Sequence, residues 1–170
     1  DVCSSDLGNV SVNNLTLGNG TLNKGALGHT PTFSINNSLS IPLVTGFATF
    51  KRDVTLQSPA TATQANYDWS LLLDNSSTYT ILGAHNITGS GWIQGTGSSG
   101  SIVVDGASGR LNKTGITGGT GRTDITVPVT LSNGGKVDNQ AGIMRLIGGG
   151  STSGTFTEFM LGSGTTTELS

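Results

Sequence analysis

Ile125-Thr126-Val127-Pro128-Val129-Thr130-Leu131 alternates branched aliphatic side chains with small polar or proline positions, and Ser132-Asn133-Gly134-Gly135 then breaks the run. Gly109-Arg110-Leu111-Asn112-Lys113-Thr114-Gly115 stands before it. Lys136-Val137-Asp138-Asn139-Gln140-Ala141-Gly142-Ile143-Met144-Arg145-Leu146-Ile147-Gly148-Gly149-Gly150 and Gly154-Thr155-Phe156-Thr157-Glu158 follow. A period of two puts alternate side chains on opposite faces of an extended chain, so each phrase is a half-buried strand. The glycines and asparagines between phrases take left-handed backbone that other residues resist. With no helical stretch between them, residues 83–170 repeat one strand-and-turn unit, the mark of a chain that coils and stacks on itself.

The same alternation occurs earlier, at Val10-Ser11-Val12, Leu15-Thr16-Leu17, Phe33-Ser34-Ile35, Leu39-Ser40-Ile41 and Val54-Thr55-Leu56. No apolar stripe at helical spacing lasts beyond two turns. Asn19-Gly20 and Asn133-Gly134 also suit two-residue hairpins. The strands are too short and too unevenly spaced for matched hairpins, however. Turns such as Gly115-Ile116-Thr117-Gly118-Gly119-Thr120-Gly121 suit the corners of a triangular coil. The fold expected is therefore all-β, a right-handed parallel β-helix (solenoid). At about 22 residues per coil it has roughly seven coils, and at strand spacing it is about 35 Å long. Ile125, Val127, Val129 and Leu131 are expected inward on one strand, with Val137, Met144, Leu146, Phe156 and Leu169 inward elsewhere. Residues 8–82 read as less regular coils, in which Phe47 to Phe50, Lys51-Arg52-Asp53 and Ala60 to Trp69 include a longer loop bulging from the coil, with Pro59 to Asn66 the expected excursion. Residues 83–170 read as the regular repeats.

Composition narrows the function classes. Apolar residues make up 34% of the 170, and the 27 glycines raise the share to about half, near the globular norm. Charged residues are 11% with a net charge of −2, and the eight Lys and Arg are scattered singly. No basic patch tracks a phosphate backbone, so nucleic acid is not an expected partner. No apolar run approaches the length of a membrane span. Asp1-Val2-Cys3-Ser4-Ser5-Asp6-Leu7 reads as the translation of a sequencing adapter, so residues 1–7 are set apart. On that reading the natural N-terminus, with any signal peptide, lies outside this sequence, and the chain is expected to be part of a longer one. Cys3 is the one cysteine, so neither a disulfide nor a thiolate metal site is expected.

The phrases Leu111-Asn112-Lys113-Thr114-Gly115, Val127 through Gly135, Ala141 through Gly150 and Ser153-Gly154-Thr155-Phe156 resemble the parallel β-helix repeats of bacterial secreted surface proteins. These include autotransporter passengers and filamentous-haemagglutinin-like adhesins. The resemblance covers about half the chain. It implies export to the extracellular space, cell surface or outer membrane, and a role in adhesion or display. Its partners would be surface glycans or proteins, together with neighbouring coils of a longer parent chain. It carries no catalytic residues.

Parallel β-helices also include polysaccharide lyases and hydrolases, which need paired carboxylates or acidic calcium ligands with a basic partner. The charges that could converge across successive coils are Asp124, Asp138, Lys136 and Arg145, with Arg122 nearby; solvated turn charges explain them more simply. His29 and His85 stand alone, and His85 beside Asn86 reads as a turn residue, so no metal and no cofactor is expected. Gly97-Ser98-Ser99-Gly100-Ser101 lacks the strand-to-helix context of a nucleophile elbow. Tyr67, Trp69, Tyr79 and Trp92 are the candidate glycan-contact aromatics, whose rings could stack on sugar faces; core packing is the alternative. A flat threonine array of the water-ordering kind would need Thr-x-Thr on each coil, and most coils lack it. The expected function is non-enzymatic: a rod that displays loops and side chains, with a polysaccharide-active enzyme or a carbohydrate-binding module as alternatives.

Overall fold

The computed structural model describes residues 9–23, 32–42, 47–65, 71–74, 76–95, 100–117, 121–154 and 158–169, and no helix occurs among them. Nineteen strands wind in order around a common axis. The first coil holds β1 (Val10–Thr16) and β2 (Gly20–Leu22), and the second β3 (Phe33–Ile41) and β4 (Ala48–Phe50). The third holds β5 (Val54–Leu56), β6 (Thr61–Gln64) and β7 (Leu71–Leu73). The fourth holds β8 (Thr78–Ile81), β9 (Ala84–Gly89) and β10 (Ile93–Gly95). Next come β11 (Ser101–Asp105), β12 (Arg110–Thr117) and β13 (Arg122–Ile125), then β14 (Val129–Ser132), β15 (Lys136–Asn139) and β16 (Ile143–Leu146). The last described coil is β17 (Gly150–Ser153), β18 (Glu158–Leu161) and β19 (Thr166–Leu169).

Every pairing between these strands is parallel, and each strand bonds to its counterpart one coil away. The result is the parallel β-solenoid expected from the alternation. The first and second faces are the two arms of one twelve-stranded sheet. They meet in β3, which pairs with β5 through Phe33–Ile35 and with β6 through Ser38–Ile41. The third face is a seven-stranded sheet, β2-β4-β7-β10-β13-β16-β19 in stacking order, which marks out about six turns.

Register turns the alternation into columns. Phe33, Val54, Tyr79, Ile102 and Val129 stack inward on the first face, as do Ile35, Leu56, Ile81, Val104 and Leu131. All are buried. Each inward side chain is covered from above and below, so its apolar area leaves water without a second packed layer. Fully burying a side chain of this size is worth about 1.5–3 kcal/mol. The column also measures the coils, which run from 21 residues (Phe33 to Val54) to 27 (Ile102 to Val129). The longest coil therefore lies within the stretch that reads as most regular.

Three expectations are corrected. Ile125 and Leu131 do not share a strand, because Pro128 has no N–H to give a ladder: β13 ends at Ile125, β14 begins at Val129, and Val127 is buried at the corner between them. Residues 61–64 form β6 with Ala62 and Gln64 buried, not an excursion, and only residues 51–53 separate β4 from β5. There Arg52 is buried, with its guanidinium carbon 5.4 Å from the Phe33 ring centre, instead of riding on a bulge. Leu169 is in the inward column of Ile125 and Leu146 but is exposed on the last coil, and Phe156 lies outside the described residues.

The Asn133-Gly134 corner shows why hairpin wording can build a solenoid. Both residues have positive φ (49° and 91°), and the Gly135 N–H donates to the Ser132 carbonyl at 2.9 Å, as in a two-residue hairpin turn. The flanking strands do not pair with one another: β14 bonds to β11 and β15 to β12, on different faces. The turn redirects the chain, and the neighbouring coil supplies the partners. Gly135 also passes so close to that coil that a Cβ would stand 2.0 Å from the Val104 carbonyl oxygen. Gly135→Ala is expected to lower stability by about 1–3 kcal/mol as the coils are forced apart. Gly20→Ala, whose Cβ would meet only the Leu17 Cδ1 at 3.1 Å, should cost less. Urea denaturation of the two variants checks the order.

Candidate functional site

Because the interior is filled, outward columns form the accessible chemistry. On the first face Ser11, Ser34, Thr55, Thr80, Val103, Thr130 and Ser151 stand in one unbroken register down the rod. This row has no charge. Some neighbours bond along it, as Thr130 Oγ1 to Ser151 Oγ at 3.1 Å. On the second face Thr16, Ser40, Thr63, Asn86, Asn112, Asp138 and Met160 align, beside Asn14, Ser38, Thr61, Ala84, Arg110, Lys136 and Glu158. Asn112 Nδ2 donates to Asn86 Oδ1 at 2.8 Å. On the third face Asp124, Arg145 and Glu168 form a column of alternating charge.

The four charges that could have converged are divided between two faces. Asp124 is buried beneath Arg122 Nη2 at 3.1 Å and Arg145 Nη1 at 3.6 Å, and Arg145 Nε also reaches Glu168 at 2.8 Å. On the second face Lys136 pairs with Glu158, whose carboxyl is thereby held below its ordinary range. Asp138 Oδ2 accepts from Gln140 Nε2 at 2.6 Å. The geometry is that of ion pairs along the rod, Asp124 with Arg122 and Arg145, Arg145 with Glu168 and Lys136 with Glu158, while Asp138 is held by a neutral amide.

The aromatic candidates separate as well. Trp92 is 41% exposed at the corner between β9 and β10. Its backbone carbonyl accepts from Leu71 N–H and Gln64 Nε2, which fixes the corner beneath the indole. Tyr79 is fully buried, with its ring edge-on to Phe50 at 5.4 Å between centres, so it belongs to the core and not to a sugar-stacking surface. Tyr67, Trp69 and His29 lie outside the described residues.

Sequence reading missed the polar interior. His85 is not a turn residue but an inward residue of β9, fully buried. Its Nδ1 meets the Tyr79 hydroxyl at 2.9 Å, its Nε2 meets Gln64 Oε1 at 3.1 Å, and Gln64 Nε2 donates to the Trp92 carbonyl at 3.2 Å. The carbonyl can only accept, which orients the amide. The amide oxygen then takes the proton of Nε2, and Nδ1 accepts from Tyr79. Burial holds the imidazole neutral, its pKa pushed down to about 4, and raises that of Tyr79. One coil on, Lys113 is fully buried with Nζ donating to Gly89 O at 2.8 Å and to Gly115 O. Burial lowers its pKa to about 8. The next inward position is Asn139, whose Nδ2 donates to Thr166 O at 2.8 Å while its Oδ1 has no partner. Alternation was the available signal: with Ile87 and Leu111 inward, His85 and Lys113 must be inward too.

Among the described residues no three His, Cys, Asp or Glu side chains gather as metal ligands, and no helix is long and apolar enough to cross a membrane. No protein family model, curated protein or solved structure matches the chain.

His85 sets a pH limit on the fold. Between pH 6.5, where a free imidazole titrates, and about 4, where the buried one does, the unfolded chain binds a proton that the folded chain refuses. Stability is therefore full above that window and falls as pH drops through it, by about 3 kcal/mol at the lower end. Denaturation at pH 7 and pH 4.5 should show this loss, and His85→Gln should remove most of the pH-dependent difference.

Proposed function

We propose that the chain is a non-enzymatic display segment of a secreted or cell-surface bacterial protein. It holds outward side chains in fixed rows for contact with surface glycans or proteins. The observation that carries this reading is the unbroken outward register: seven positions from Ser11 to Ser151 repeat at strand spacing down one face. Strand-spaced positions at about 4.8 Å intervals, hydroxyl-bearing at all but Val103, offer donors and acceptors to an extended polymer lying along the rod. Trp92 adds an exposed indole on a corner held by two hydrogen bonds, a surface on which a sugar ring can stack. Separation of Asp124 and Arg145 from Lys136 and Asp138 gives the polysaccharide-cleaving alternative no support.

Arrays of neutral and acidic glycans and of immobilised matrix proteins test the proposal. Retention on at least one class is expected. Where that class is a glycan, Trp92→Ala should weaken it by about 10-fold, the scale of one lost aromatic contact. Failure to be retained on any surface, or release of unsaturated or reducing sugars on incubation with pectin or alginate, would overturn it.

A further inference from the structure

Trp92 does not stand alone on the third face. Ile93 of β10 pairs with Ile125 of β13, and the Thr126 N–H donates to the Ile93 carbonyl at 2.9 Å, so one residue earlier Trp92 is level with Asp124. Asp124 is in turn level with Arg145, which puts the indole in the same outward column as the ion pairs. Strand spacing sets the backbones of Trp92 and Asp124 about 4.8 Å apart along the rod. Arg122 turns its guanidinium onto Asp124, Nη2 to Oδ2 at 3.1 Å, which brings its charge to the level of the indole. The Arg122 side chain is 41% exposed, whereas that of Asp124 is buried. Arg145 is engaged from both sides, by Asp124 and by Glu168. Among the described residues the Arg122 guanidinium has only Asp124 as a carboxylate partner, and shares it with Arg145. A guanidinium carries five N–H donors in a planar fork, so the exposed side of this one has donors for a further acceptor.

On the display role proposed above, on which this step rests, we infer that Trp92 and Arg122 form a site for a sugar that carries a carboxylate, the uronic-acid unit of an acidic polysaccharide. The two groups match the two halves of such a unit. The C–H face of the ring lies on the indole, and the carboxylate accepts two parallel N–H bonds from the Arg122 fork. In a uronic acid the carboxyl is bonded directly to a ring carbon, so ring and anion are separated by about one strand spacing, as the indole and guanidinium are. A neutral sugar would use the indole and leave the guanidinium to water. The Asp124 carboxylate opposes the incoming one only weakly, because it is buried and faces two guanidinium groups. The uncharged first-face row gives such an anion no cationic partner, so it is drawn to this corner.

Calorimetric titration of the full chain with oligogalacturonate, oligoguluronate and hyaluronan oligosaccharides, each beside its carboxyl-reduced neutral counterpart, is the test. At least one acid should bind about 10-fold more tightly than its counterpart, with the preference shrinking in high salt. Arg122→Gln should bring that acid down to the affinity of the neutral form. Arg122→Lys, which keeps the charge and loses the fork, should retain only part of the preference. Trp92→Ala should weaken both forms by about 10-fold. Both side chains are outward and Asp124 keeps Arg145, so the variants should fold, and their urea midpoints check this. Equal affinity for acid and neutral forms would overturn the inference, as would a preference that survives Arg122→Gln. Failure to bind any of the acids would do the same. In that case retention on another surface of the arrays leaves the display role standing, and retention on none removes it too.

Discussion

The parallel backbone ladder between equivalent positions of successive coils is the constraint from which everything else follows. Once Ser34 pairs with Thr55 and Thr55 with Thr80, every inward side chain lies above another inward one and every outward side chain above an outward one. A slip of one residue would send a whole column of Ile and Leu into water and bring its hydroxyls inward. Stability is then a sum of coil-on-coil terms, and no single layer closes the core. The same rule makes an outward residue part of a row, which is why function in this molecule is expected along faces.

The polar residues inside the rod fit this frame. Tyr79, His85 and Gln64 come from three different strands, and their hydrogen bonds run from the first face through the second to the Trp92 corner. The chain of donors has one allowed direction, so it ties three strands together with a specificity that apolar contacts lack. Lys113 does the same for the corner that follows, joining Gly89 of one coil to Gly115 of the next. Both devices carry a desolvation cost, visible in the depressed basicity of His85 and Lys113. Neighbouring apolar columns offset that cost.

Much of this was legible in the residues themselves. Val54-Thr55-Leu56 and Val129-Thr130-Leu131 announced strands with one buried face, and the uneven glycine-rich turns pointed to a coil. Strand pairing was harder, since Asn133-Gly134 makes the same local turn whether its flanking strands pair together or part for different faces; only the coil beneath decides. Pro128 could have been read as a strand boundary from its missing donor. The position of Lys113 could have been read from Leu111 two residues earlier, although a lysine is seldom buried. The division of Asp124 and Asp138 between faces could not be read, because corner lengths set which side a charge emerges on, and those vary from coil to coil.

Variation in coil length, from 21 to 27 residues, has a mechanical meaning. Interstrand hydrogen bonds in this rod lie along its axis, so a pull applied at the two ends opens them one coil at a time, as a zipper, instead of shearing many together. Each coil peeled away would release about 70–95 Å of extended chain. The molecule would then behave as a tether paying out in unequal steps, the largest drawn from the loop of chain that contains β12.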